Sequence, residues 1–170
     1  AAPTGTYREV WRTPYFLRLT PIGFFSYGGM IAVQTLWAGP WMVRVAGYEP
    51  LQSAAGLFTI NLCMLVTFWT WGMVTPRLAR MGIGTDRLIA CGLPFSLVAL
   101  AGIIAAGPAA GALALALFCV GTTAASLAQP AVGMAFPAAL AGRALSAYNL
   151  VIFLGVFVMQ WGIGLLVDGF

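Results

Sequence analysis

Long runs without a charged residue constrain the fold of this chain more than any other feature. The eight basic and four acidic residues fall between these runs. Three runs, at positions 19–43, 50–76 and 144–167, contain between 24 and 27 residues each. An α-helix needs about 20 apolar residues to cross a hydrocarbon layer roughly 30 Å thick. Each of the three runs therefore predicts one membrane-spanning helix.

A fourth run, at positions 88–142, contains 55 uncharged residues. As one helix rising about 1.5 Å per residue it would be roughly 82 Å long, too long for a single crossing. It must turn, and we expect the turn between Gly107 and Gly111, where Pro108 and two glycines favour a break. The sequence thus predicts an all-α, polytopic transmembrane bundle of about five spans: 17–40, 52–75, 88–106, 112–135 and 144–167.

Composition supports a lipid environment independently. The chain is 61% hydrophobic and 7% charged, whereas a soluble domain is typically about 25% charged. Twelve charges could not cover the surface of a soluble domain of this size, so the lipid bilayer is the expected solvent. The net charge of +4 does not indicate nucleic-acid binding, because the arginines do not cluster on one solvated face.

The arginines indicate the orientation. Seven of the eight lie in alternate gaps between spans, and only Arg44 lies in the others. Cytoplasmic loops are enriched in arginine, so we expect a cytoplasmic N-terminus, in the cytoplasmic (inner) membrane of a bacterium, with Asp168 outside. Residues 1–16 would form a cytoplasmic linker or interfacial segment before the bundle of residues 17–170. Tyr148 and Trp161 flank the last span, where aromatic rings often settle at the interface.

The predicted spans contain few residues that could catalyse a reaction or bind a metal ion. No predicted span has an interior acidic, basic or histidine residue, and the chain contains no histidine. A metal site would lack ligands, and a serine or cysteine nucleophile would lack a base. We interpret Cys63, Cys91 and Cys119 as small packing residues. The sequence therefore predicts neither an enzyme nor a bound cofactor.

Uncharged polar residues recur at helical spacing in four of the five predicted spans. Steps of four and seven place such residues on one stripe of a helix, and the stripe of the first span contains Gly23, Tyr27, Gln34 and Trp41. A buried amide is costly unless it is hydrogen-bonded. The stripes would therefore line a shared aqueous cavity that binds a polar solute or, alternatively, hold helices together. The cavity candidates are Tyr27, Gln34, Asn61, Thr122, Ser126, Gln129, Asn149 and Gln160.

Two segments resemble the C-terminal half of a major facilitator superfamily transporter. Residues 72–82 read GMVTPRLARMG, which is similar to the family's loop motif Gly-x-x-x-Asp-Arg-x-Gly-Arg-Arg. Gly72, Arg77 and Arg80 match that motif, whereas Pro76 stands where the family has an acidic residue. The second segment opens a span with Gly142-Arg143-Ala144 and continues to Gln160-Trp161-Gly162, a cadence similar to the eleventh span of many members.

This resemblance covers spans seven to eleven of a twelve-span protein and implies a fragment that lacks the twelfth span. It implies solute transport by alternating access, with a small-molecule solute and the N-terminal half of the same transporter as partners. The family's acidic residue helps to latch the cytoplasmic side, which Pro76 cannot do. Arg77, Arg80 and Arg143 would then belong to a cytoplasmic charge cluster with Asp86 and Arg87, or would only fix the topology. Any proton-coupling acid would lie in the other half, or transport would be uncoupled.

A membrane subunit of a different class remains the alternative. Such a protein would not transport anything and would instead scaffold a larger complex. It would be a complete five-span chain, whereas a transporter requires about six further spans upstream and one downstream.

Overall fold

A computed structural model describes residues 6–169 of the chain. These residues form a helical bundle without a β-strand. A short helix, α1 (Tyr7–Arg12), precedes five long ones. The five long helices are α2 (Pro14–Arg44), α3 (Pro50–Arg80), α4 (Thr85–Ala106), α5 (Ala112–Ala135) and α6 (Ala138–Asp168). All five are long and apolar enough to cross a membrane. This confirms the prediction of an all-α bundle with five such helices and supports the prediction of an integral membrane protein.

The helices begin where the sequence supplies suitable first residues. Pro14 and Pro50 occupy the first turns of α2 and α3, where a missing N–H costs nothing because that group has no intrahelical partner. The Gln52 side chain accepts a hydrogen bond from the Glu49 backbone at 3.0 Å, which completes a capping box. Three of the helices are 31 residues long, so their ends extend beyond the predicted hydrocarbon spans.

The long uncharged run turns at the predicted position. Gly107 has φ of 54°, a conformation that glycine adopts without a steric penalty. The amide of Ala110 donates to the carbonyl of Gly107 at 2.9 Å. Two aromatic side chains fix this turn, since the Trp41 indole donates to the Ala110 carbonyl at 2.9 Å and the Tyr48 hydroxyl accepts from the Ala112 amide at 3.2 Å.

Helix α5 lies at the centre of the bundle. It packs against each of the other four long helices, and more than half of the residues in its most apolar stretch are buried. Helix α2 packs mainly against α6, and it also contacts α5 through its first half and α3 through its last turns. Two apolar clusters form the core, one near the first turns of α2 around Phe16, Leu19 and Tyr148, and one near its last turns around Met42 and Ile60.

Glycines bring pairs of helices into backbone contact. A Cβ atom at Gly28 of α2 would lie 2.9 Å from the carbonyl oxygen of Ile152 in α6. A Cβ atom at Gly155 of α6 would overlap the backbone of Phe24 in α2. Small residues at membrane helix interfaces permit this approach, because association in lipid depends on close packing more than on the hydrophobic effect.

Candidate functional site

Helix α2 contains two stretches of π-helix, Ile22–Tyr27 and Val33–Trp37. A π turn has i→i+5 hydrogen bonds and contains more residues than an α turn, and such turns occur frequently at functional sites. Each stretch therefore rotates the side chains that follow it away from the directions that an uninterrupted α-helix would give them. Residues spaced by four and seven along α2 do not stay on one face, so the 3.6-residue period could not locate their neighbours.

The predicted stripe of α2 accordingly contacts several different elements. Gly23 lies against the ring of Tyr148 in α6, and Tyr27 is partly buried between the two core clusters. Gln34 faces α3. Trp41 reaches the turn between α4 and α5.

Gln34 and Asn61 meet across α2 and α3. The Nε2 atom of Gln34 donates to Oδ1 of Asn61 at 2.8 Å, and Nδ2 of Asn61 donates to the carbonyl of Leu57 at 2.8 Å. Asn61 is exposed and Gln34 is half-buried. Both amides retain further hydrogen-bonding capacity, and Oε1 of Gln34 accepts no hydrogen bond from residues 6–169.

The next residue of α2 makes the corresponding contact with α6. Nε2 of Gln160 donates to Oγ1 of Thr35 at 3.0 Å, and that hydroxyl donates to the carbonyl of Ile31 at 2.7 Å. Thr35 was not among the predicted cavity residues, although its position beside Gln34 in a polar pair could have identified it. Gln34, Thr35, Asn61 and Gln160 together form what we call the polar patch.

The polar patch lies deep within the predicted membrane. At about 1.5 Å per residue, its members lie roughly 3 to 7 Å from the middle of their charge-free runs. Both of its cross-helix hydrogen bonds are exposed at the surface of the described bundle. The patch therefore offers amide and hydroxyl groups to whatever lies against this face of α2.

The remaining candidates lie on α5 and α6. Nε2 of Gln129 donates to Oδ1 of Asn149 at 2.7 Å, which joins the two helices. Thr122 is buried and donates to the carbonyl of Phe118 at 2.8 Å, and Ser126 donates to the carbonyl of Thr123 at 2.7 Å. Five of the eight candidates thus take part in three cross-helix hydrogen bonds, each between a different pair of helices. That the eight line one cavity remains a prediction.

Two apolar grooves are lined by residues of α2, α4, α5 and α6. Their volumes are about 400 and 290 Å³. Of the eight cavity candidates only Thr122 lines either groove, namely the smaller one. The indole N–H of Trp37 lies at the larger groove and has no hydrogen-bond acceptor within residues 6–169. These grooves suit hydrocarbon better than a polar solute.

The residues of the loop motif are helical in the structure. Gly72, Arg77 and Arg80 lie on the last turns of α3, which continues through Pro76, and the connection to α4 contains only residues 81–84. Arg143 is exposed near the start of α6. Of the acidic residues expected in the charge cluster, Asp86 accepts a hydrogen bond from the Tyr15 hydroxyl at 3.0 Å and forms an ion pair with Arg18 at 3.7 Å.

Tyr148 is a core residue of the bundle, whereas its place in the sequence resembled that of an interfacial aromatic ring. Its side chain is 1% exposed, and its hydroxyl donates to the carbonyl of Leu19 at 3.1 Å. The glycine at position 23 of α2 makes room for the ring. Trp161, by contrast, is 61% exposed. Another unpredicted contact is the hydrogen bond from the Trp71 indole to the Thr123 hydroxyl, at 2.9 Å.

Comparison with known proteins finds no relative of this chain. Neither the protein-family models, nor the curated proteins, nor the solved structures contain a match to the chain. Within residues 6–169 no three histidine, cysteine or carboxylate side chains come together as a metal site.

Proposed function

We propose that this chain is part of a solute transporter that works by alternating access, and that it corresponds to spans seven to eleven of a major facilitator superfamily protein. The observation that carries the proposal is the exposed polar patch at membrane depth. Each amide of the patch still has unused donors or acceptors, and lipid tails could not replace the hydrogen bonds to water that those groups would lose. A face that presents Gln34, Thr35, Asn61 and Gln160 is better suited to a water-filled path through which a polar solute passes.

The pairing of the helices supports an inverted repeat. Helix α2 packs on α6, and α3 packs on α5. If α2 is exchanged with α5 and α3 with α6, the pair α2–α6 becomes the pair α5–α3. Two three-span repeats of opposite orientation require this exchange. In the proposed scheme α2, α3 and α4 form one repeat, and α5 and α6 are two spans of the other.

Irregular backbone occurs in the two helices that this exchange makes equivalent. Helix α2 contains the two π stretches, and α5 contains a 3₁₀ stretch at Thr123–Leu127. Transporters of this kind often bind solutes and ions where helices are interrupted near the membrane midplane. In the proposed orientation, with the N-terminus cytoplasmic, the polar patch lies slightly towards the outer side.

A scaffold subunit is the second candidate, and the hydrogen bonds within the amide pairs favour it. Gln34 bonds to Asn61 and Gln129 bonds to Asn149, as expected for polar side chains that hold membrane helices together. A scaffold needs the helices joined but requires no water at the polar patch. The two functions therefore differ in whether aqueous reagents reach Thr35.

Labelling of one introduced cysteine distinguishes these functions without knowledge of the solute. The full-length protein, with Cys63, Cys91 and Cys119 replaced by alanine, carries Thr35→Cys and is treated with a membrane-impermeant maleimide from each side separately. Alternating access predicts labelling from both sides. The matched control Val98→Cys, at a 70% exposed position of α4, should remain unlabelled because it faces lipid. If Thr35→Cys is as unreactive as the control, the transport proposal is wrong.

Loss of transport by patch variants provides the complementary test. With a set of radiolabelled uncharged solutes, we expect Gln34→Leu and Asn61→Leu to abolish whichever uptake the unmodified full-length protein shows. Both variants should still insert and fold, because leucine is readily accommodated in a membrane helix. Normal uptake by both would exclude the polar patch as a solute site. Equal uptake with and without a pH gradient would exclude proton coupling.

A further inference from the structure

Helix α1 is a short, firmly held element at the beginning of the bundle. The backbone N–H and the hydroxyl of Thr6 both donate to Oε1 of Glu9, each at 3.2 Å. Val10 is fully buried in the cluster that α1 shares with α6. The ring of Trp11 meets that of Phe16 edge-on, with centroids 5.0 Å apart. These contacts fix which face of α1 points away from the protein.

The outward face of α1 carries two arginines. Arg8 and Arg12 are four residues apart, so they project from the same side of the helix, and both are exposed. Neither forms an ion pair within residues 6–169, where the ion pair present joins Arg18 to Asp86. The nearest carboxylate along α1, that of Glu9, accepts the hydrogen bonds of Thr6. Two positive charges therefore remain available to a partner from outside the bundle.

The position of α1 relative to the membrane indicates the chemical class of such a partner. Helix α1 ends at Arg12, and the first membrane span begins at Pro14. The arginines therefore lie where lipid headgroups begin. Tyr7 and Trp11 beside them are 51% and 39% exposed, and tyrosine and tryptophan favour this level of a membrane. A guanidinium binds phosphate oxygens through two parallel hydrogen bonds, which makes arginine well suited to a phosphate headgroup.

We propose that Arg8 and Arg12 form a binding site for the headgroup of one anionic phospholipid in the adjacent leaflet. The phosphate lies between the two guanidinium groups, and the rings of Tyr7 and Trp11 pack at the level of the headgroup. The site does not depend on transport, because a scaffold subunit with the same α1 would bind the same lipid. It also gives the segment before the bundle a defined partner.

Lipid titration of the full-length protein in a neutral detergent tests this site. Native mass spectrometry measures the dissociation constant for phosphatidylglycerol, and phosphatidylcholine serves as the uncharged comparison. Each arginine near a membrane surface contributes about 5-fold to binding of anionic lipid, so Arg8→Gln/Arg12→Gln should weaken the phosphatidylglycerol complex about 30-fold. Phosphatidylcholine binding should change much less.

The matched control removes the same charge from another helix end. Arg77 and Arg80 lie exposed on the last turn of α3. Arg77→Gln/Arg80→Gln should weaken phosphatidylglycerol binding less than about 3-fold, because these arginines belong to another helix and act on a lipid at α1 only through screened charge. Equal weakening by the two double variants would mean diffuse charge rather than a site on α1, and would overturn the proposal. Displacement of the lipid by millimolar inorganic phosphate would likewise overturn it, in favour of a general anion site.

Discussion

Replacing Gly155 by alanine should loosen the contact between α2 and α6. The added Cβ atom would overlap the carbonyl oxygen of Phe24 and lie 2.9 Å from both Cα and the carbonyl carbon of that residue. Carbon atoms make ordinary contact from about 3.5 Å. Because the obstacle is backbone, no side-chain rotation relieves the overlap. The two helices must instead move apart by at least about 0.6 Å to relieve the carbon contacts, and by more at the overlapping carbonyl oxygen.

The expected cost follows from overpacking. Inserting a methyl group into a well-packed interface typically costs about 1–3 kcal/mol. Alanine also favours a helix over glycine by about 1 kcal/mol, which partly conceals that cost. Gly162 provides the correction, since it lies on the same helix and a Cβ atom there meets nothing within 4 Å. Both substitutions gain the same helix propensity, so their difference isolates the overlap.

Equilibrium unfolding in detergent, followed by circular dichroism, measures this difference. We expect Gly155→Ala to be less stable than Gly162→Ala by about 1–3 kcal/mol, a factor of roughly 5 to 150 in the unfolding constant. The separation of α2 and α6 should also lengthen the hydrogen bonds from Tyr148 to Leu19 and from Gln160 to Thr35. Adding Gly155→Ala to a variant that already lacks one of these hydrogen bonds should therefore lower its stability less. Equal stability of the two alanine variants would refute the close backbone approach.

Three further predictions concern single contacts. Tyr148→Phe should lower the free energy of unfolding by about 0.5–1.5 kcal/mol, because it removes a buried hydrogen bond to the Leu19 carbonyl, which keeps the backbone N–H of Ile22 as a donor. A double-mutant cycle with Gln129→Leu and Asn149→Leu should give a coupling energy of about 0.6 kcal/mol, and no more than about 2 kcal/mol, as is usual between membrane helices. In the native protein N-ethylmaleimide, which unlike the impermeant reagent can enter the bilayer, should modify Cys91, which is exposed four residues after Arg87, and leave Cys119, which is 1% exposed, unmodified.

Each of these predictions has its own control and its own contrary result. For Tyr148 the control is Tyr7→Phe at an exposed position, and equal stability of the two variants would contradict the buried hydrogen bond. A coupling energy of zero would mean that Gln129 and Asn149 do not interact. Mass spectrometry of the maleimide adducts should show Cys119 reacting only after denaturation, and early modification would contradict the central position of α5.

Sequence alone determined the number and approximate limits of the spans. Charge-free runs of 24 to 27 residues leave one physical solution, because backbone groups in lipid must be bonded within a helix. The position of the turn was equally accessible, since Gly107 adopts a positive φ that few other residues tolerate. These features depend on local chemistry and on the thickness of a bilayer, and neither requires knowledge of neighbouring helices.

Only the tertiary structure decided which polar residues meet. The π stretches of α2 changed the facing of Gln34 and Trp41, and no 3.6-residue pattern includes that rotation. Tyr148 resembled an interfacial aromatic residue in the sequence, yet Gly23 on another helix admits its ring to the core. The pairings of Gln34 with Asn61 and of Thr35 with Gln160 likewise join residues 27 and 125 positions apart. Such contacts depend on helix rotation and separation, which arise from packing of the whole bundle.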